Sequence, residues 1–249
     1  MQLVAQMQLV FQVCALLVGL PLQLAVIAAL LRGAYRRYPF VLLYVIVDFL
    51  TTVLEIRPSL AYRTATTPEM KRSFATLYWW DERILQAAVF LMVISLVYRA
   101  TAQFRPRRVL LLGVVAVTAS FAAVTFFIHF DPTLPSWDWM TPWTRDLNFG
   151  AAILDLGLWA ALIGARDKDY TLLMVAGAMG IQFTGGAIGQ AARDLSASAQ
   201  IVMGDFIALA NLACLYIWWH AFRLPERVRS KLRARPSSEP AGIHGPSPE

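Results

Sequence analysis

Residues 9–31 read LVFQVCALLVGLPLQLAVIAALL, a run without one Asp, Glu, Lys or Arg. A helix needs about 20 apolar residues to cross the hydrocarbon core of a bilayer. Pro21 does not disqualify it, because membrane helices tolerate proline as a kink. Working outward along the chain, the same kind of run returns over 39–56, 78–98, 109–130, 143–165, 170–192 and 201–222. Pro39 opens its run where a missing N–H has no helical partner to lose. These runs predict an all-α fold, a polytopic bundle of seven transmembrane helices over 1–223, followed by a tail over 224–249.

Composition agrees with that reading. Of the 249 residues 58% are hydrophobic and 15% charged, with a mean hydropathy of +0.54; soluble domains run at roughly 45–50% and about 25%. No stretch is left over to build a separate catalytic or nucleic-acid-binding domain. The net charge of +6 therefore points to membrane surfaces and not to nucleic acid.

Orientation follows from the basic residues between the runs. Fifteen of the 22 Lys and Arg fall on one side: Arg32, Arg36, Arg37, Arg99, Arg105, Arg107, Arg108, Arg166, Lys168, Arg223 and the five of the tail. The positive-inside rule places that side in the cytoplasm and the N-terminus outside. Met1 to Gln8 carries no basic residue and the first run is longer than a signal core, so the first helix is expected to stay on the protein. In the tail, Arg227, Arg229, Lys231, Arg233 and Arg235 alternate with other residues ahead of a Pro/Ser-rich end. That pattern suits a flexible segment resting on anionic lipid, or a dock for a cytoplasmic or membrane protein partner.

Ionisable side chains inside a bilayer are costly and mark candidate functional positions. Asp48 lies near the middle of the second run, with Thr52 and Glu55 on the same helical stripe. Asp81, Glu82 and Arg83 stand near the start of the third run. Arg145, Asn148 and Asp155 share a face of the fifth. Gln182 and Arg193 lie on the sixth, Asp205 and Asn211 on the seventh. Most of these sit toward the side opposite the basic loops, while Asp48, Asp155, Gln182 and Asn211 lie near mid-depth. The pattern predicts a polar cavity that opens outward and is closed from the cytoplasmic side. Two roles lead for it, ion pairs that tie helix ends together and a ligand pocket, with a proton or ion path as the third. A neutral Asp bonded to Gln182 or Asn211 would serve either. Residues 131–143, with three prolines and three tryptophans, are expected to lie in the interface as a lid.

The sixth run is glycine-rich. Gly180, Gly185 and Gly189 read as close-packing positions against a neighbouring helix. Cys14 and Cys214 lie inside runs and behave as small apolar residues. His129, His220 and His244 are too dispersed to meet on one metal. The sequence holds no G-x-S-x-G, H-E-x-x-H, P-loop or C-x-x-C motif, so neither a metal nor another cofactor is expected, and enzyme chemistry has no nucleophile to start from.

Seven spans with an external N-terminus share the topology of microbial rhodopsins, but the lysines are Lys71, Lys168 and Lys231. The last run has none to bind retinal, so that family is set aside. The segments Arg36-Arg37-Tyr38-Pro39-Phe40, Tyr78-Trp79-Trp80-Asp81-Glu82, Arg105-Pro106-Arg107-Arg108 and Thr144-Arg145-Asp146 resemble an uncharacterised family of bacterial seven-helix membrane proteins. The resemblance implies a multi-pass protein of the inner cell membrane and assigns no activity. The expectation is a non-enzymatic sensor or a protein that binds a small molecule or lipid in an outward-facing polar cavity. The alternatives are a proton-coupled transporter using the intramembrane aspartates, and a structural subunit of a larger membrane assembly.

Overall fold

A computed structural model describes residues 2–64, 68–101, 107–133, 136–164, 169–193 and 197–223. The basic tail over 224–249 lies outside the described residues. Seven helices form: α1 (Gln2–Leu31), α2 (Pro39–Thr64), α3 (Pro68–Ala100), α4 (Arg107–His129), α5 (Ser136–Gly164), α6 (Tyr170–Arg193) and α7 (Ala197–Arg223). Each is long and apolar enough to cross a membrane, and no strand occurs among the described residues. The chain is a multi-pass membrane protein by length and composition of its helices.

Several helices outrun their apolar segments. The apolar window of α3 is Arg83–Ala100, yet the helix starts at Pro68; α2 continues past Ile56 to Thr64. Hydropathy reports only the part of a helix that suits hydrocarbon, whereas the backbone ladder continues wherever the residues tolerate it. The same reason corrects the interfacial lid. Residues from Ser136 onward are the first turns of α5, with Pro142 inside the helix. Trp139 and Trp143 pack edge-on against Phe126 of α4, with ring centroids 5.5 and 5.4 Å apart, and the Trp143 indole N–H donates to the Ala122 carbonyl at 3.3 Å. These aromatics tie α5 to its own neighbour. In the turn before them, the hydroxyl and backbone N–H of Thr133 donate to Asp131 Oδ1, which holds that carboxyl below its usual range.

Six helices close a ring in the order α1, α2, α3, α5, α6, α7 and back to α1, and α4 stands outside it against α5 and α3. The surfaces reflect this. Of its apolar window α4 buries only 11%, against 50% for α6. On α1 the exposed residues Val10, Leu17, Leu24 and Leu31 recur every seven residues, a stripe suited to lipid. Because lipid is as apolar as leucine, such faces do not drive association; small residues and polar pairs inside the ring do. The closest seam is α6 on α7. A Cβ at Gly185 would stand 2.7 Å from the Ala210 methyl, and one at Gly189 2.5 Å from Ile207 Cγ1. Any side chain at 185 or 189 would push the two helices apart.

Among the described residues, the main buried apolar cluster lies in one half of the ring. It runs from Val26 to Leu30 on α1, Tyr38 to Val45 on α2, Ala88 to Val97 on α3, Ala151 to Leu162 on α5, Leu172 to Phe183 on α6 and Cys214 to Phe222 on α7. Every one of these segments lies between mid-helix and the end that carries Arg37, Arg99 and Arg223. That basic end is also clasped. Arg37 forms an ion pair with Asp169, and the Asp169 carboxylate accepts from the Leu172 backbone N–H at 3.4 Å, capping α6. The Arg99 guanidinium lies 4.8 Å above the Tyr38 ring, which packs on Phe222 at 5.5 Å.

Candidate functional site

A layer of polar side chains enters near the edge of the apolar core. Gln23 on α1 and Asp48 on α2 lie just past their core segments, Asp155 on α5 and Gln182 on α6 lie about a turn or less inside theirs, and Cys214 ends the segment of α7. Gln86 of α3, also buried, stands farther toward the opposite end.

The Asp48 carboxylate accepts a 2.6 Å hydrogen bond from Gln23 Nε2. Its backbone carbonyl accepts from the hydroxyls of Thr51 and Thr52 at 3.1 and 2.7 Å. The partner expected for a mid-depth aspartate was Gln182 or Asn211; the structure supplies Gln23 instead. Gln182 Nε2 donates to the Tyr44 hydroxyl at 2.7 Å. Tyr44 in turn stands edge-on to Trp218 at 5.8 Å, whose indole N–H donates to the Val175 carbonyl at 3.1 Å. Asn211 is half-buried on α7, three residues before Cys214.

Asp155 is different. Its side chain is 1% exposed, and neither carboxyl oxygen has a hydrogen-bond partner among the described residues. It points at α6, where a Cβ at Gly180 would lie 3.0 Å from Oδ2. Gly180 therefore serves the carboxyl and not a neighbouring helix backbone. The Cys214 thiol lies within Coulombic range of both Asp48 and Asp155, so the two acids share one region of the ring interior. Gln23 Oε1 also lacks a partner. Among the described residues, the layer thus holds three buried oxygens that receive no hydrogen bond. An unpaired buried acceptor costs about 1–3 kcal/mol and a buried charge far more.

Beyond the layer, where the described buried apolar side chains are Met140, Leu147, Ala187 and Ala210, the remaining candidates gather. Asp81 and Arg83 are half-buried at the polar approach to the apolar window of α3. One buried Asp81 oxygen, Oδ2, and the Gln86 amide nitrogen have no partner among the described residues. Arg83 donates to the Met140 sulfur at 3.1 Å. Glu55, Arg83, Arg145 and Asn148 all have interaction partners. Arg145 reaches Asp146 only at 4.0 Å, because the near partner of Asp146 is His129, at 2.8 Å. Asp205 is half-buried near the start of the apolar part of α7. The side chains of Glu82 and Arg193 lie outside the described residues, although both positions are helical.

Gln23 of the layer and Tyr44, the core residue that bonds Gln182, are not ionisable in the range that marks buried charges, so a reading that looks for such groups passes over them. Their signal was present: Gln23 is an amide within an otherwise apolar half-helix, and Tyr44 lies one turn from Asp48 on the same face. As for a metal, no group of three His, Cys, Asp or Glu side chains comes together among the described residues. The chain matches no protein-family model, no curated protein and no solved structure.

Proposed function

We propose that the chain is a non-enzymatic membrane protein that binds a small molecule in the polar half of its helix ring. The observation that carries this reading is the buried polar set of Gln23, Asp48, Gln86 and Asp155, which lies at or beyond the edge of the main apolar cluster among the described residues. A ring closed on one side by packed side chains and lined on the other by polar groups is a vestibule with a floor. The unsatisfied atoms of Asp81, Gln86 and Asp155 are the groups a ligand would complete, since buried polar atoms in native folds find partners.

By the positive-inside rule the clasped, basic end faces the cytoplasm and the vestibule opens outward, in keeping with a sensor of external solutes in the inner membrane. The tail from 224 onward then lies on anionic cytoplasmic lipid, or against a partner that reads the state of the ring.

The test is a thermal-shift screen of the purified full chain with neutral, cationic and anionic small molecules, wild type against Asp155→Asn and Gln86→Leu. A molecule that stabilises the wild type and loses its effect in either variant supports the reading. Equal shifts in all three proteins, or none in any, count against it.

A second reading, proton-coupled transport, is favoured by one observation: Asp48 and Asp155 are both buried near mid-depth of their helices. Seven spans do not divide into the equal halves common in such proteins. Proton-coupled solute flux in proteoliposomes that is lost in Asp48→Asn and Asp155→Asn would select this reading over simple binding.

A further inference from the structure

We infer that Asp155 is a proton-binding site whose loading decides whether α5 and α6 stay closed over the ring interior. The inference rests on the polar layer described above and adds what occupies its floor. The carboxyl is 1% exposed, without a partner among the described residues. Toward α6 the room is narrow: a single Cβ at Gly180 would already stand 3.0 Å from Oδ2. On that side, what relieves the buried charge is the proton itself. The neutral acid still leaves its O–H and C=O unpaired, a far smaller cost than the buried charge. The carboxylate meets no donor among the described residues and is driven toward water.

The step is a simple transfer. The O–H bond of Asp155 breaks, its electron pair stays on the carboxylate, and the proton passes to water admitted from the polar half. The charged side chain must then leave its contact with Gly180 to be hydrated. That separates α5 from α6 at the point where the glycine allows their closest approach to the acid.

The other polar groups on the surrounding helices do not substitute for this one. On α6, Gln182 is bonded to Tyr44. On α7 the titratable neighbour is Cys214, and beyond it Asp48 of α2 is bonded to Gln23 of α1. On α3, Gln86 is neutral, and Asp81 and Arg83 lie farther along the helix. On α4, His129 is paired with Asp146, more than two turns of α5 away from Asp155. Arg145 and Asn148 of α5 itself also lie toward that end.

Cys214 provides a native reporter, because it is fully buried in the ring interior while the other cysteine, Cys14, is exposed. In the full chain carrying Cys14→Ser, reconstituted in lipid, N-ethylmaleimide labelling of Cys214 is followed from acidic to alkaline pH. Each rate is divided by that of the same protein unfolded in detergent, which removes the pH dependence of the thiol chemistry. The wild-type Asp155 protein is expected to label slowly in acid and several-fold faster in alkali, with Asp155→Asn slow throughout. Gly180→Ala, which wedges the contact, is expected to label fast already in acid. A flat wild-type profile, or an Asp155→Asn profile that rises like the wild type, overturns the inference. If Asp155→Asn does not fold, Gly180→Ala decides: labelling no faster than the wild type in acid overturns it. Failure here leaves the ligand screen unaffected, so the binding reading and the proton site stand or fall separately.

Discussion

The Asp155 carboxyl on α5 rests against Gly180 on α6, so closely that a Cβ at position 180 would stand 3.0 Å from Oδ2. Gly180→Ala must displace the carboxyl or the helix, and overpacking of that kind costs about 1–3 kcal/mol. The expected result is a lower Tm for Gly180→Ala, largely restored when Asp155→Ala is combined with it. Additive losses in the double variant would show that the two residues do not meet.

Gln23 and Asp48 should behave as an unequal pair. Gln23→Leu strips the only hydrogen bond from the Asp48 carboxyl oxygens seen among the described residues and should cost about 1–3 kcal/mol. Asp48→Asn leaves an amide that can face the Gln23 amide, so its cost should be the smaller one. Unfolding of both variants in mixed micelles checks the order.

The α6–α7 seam makes a rescue experiment possible. Gly189→Ala places a methyl 2.5 Å from Ile207 Cγ1 and should destabilise by about 1–3 kcal/mol. Ile207→Ala removes the obstructing atoms, so Gly189→Ala with Ile207→Ala should recover much of the loss. The Tm of the single and double variants decides this.

At the basic end, Asp169 both pairs with Arg37 and caps α6. Arg37→Ala removes a partly exposed ion pair and should cost about 0.2–1 kcal/mol, less at high salt. Asp169→Ala also removes the cap, a further loss of about 1 kcal/mol. Asp169→Ala should therefore remain the more damaging change at high salt. Equal costs would mean that the cap contributes nothing.

The seven spans were legible in the sequence because the bilayer sets one strong condition, about 20 apolar residues per crossing. The run read as 39–56 and the window Pro39–Ile56 coincide. What hydropathy does not carry is helix continuation into polar sequence, so the start of α3 at Pro68 and of α5 at Ser136 were out of its reach. It also cannot say which helices touch. That α4 stands outside the ring, and that Gly180 faces an acid while Gly185 and Gly189 face α7, depends on tertiary packing. The acids at mid-depth were visible as costly residues; their partners were not, because an amide such as Gln23 is unremarkable until a carboxylate is found beside it.

The central claim, that the half of the ring beyond Asp155 is a vestibule for a ligand, is met most directly by a density map of the full chain in a lipid nanodisc. The map is expected to show density not belonging to the chain, or ordered water, against the Asp81, Gln86 and Asp155 side chains, with the apolar core closed beneath them. A map in which apolar side chains fill that half and Asp155 takes its hydrogen bonds from the protein would contradict it.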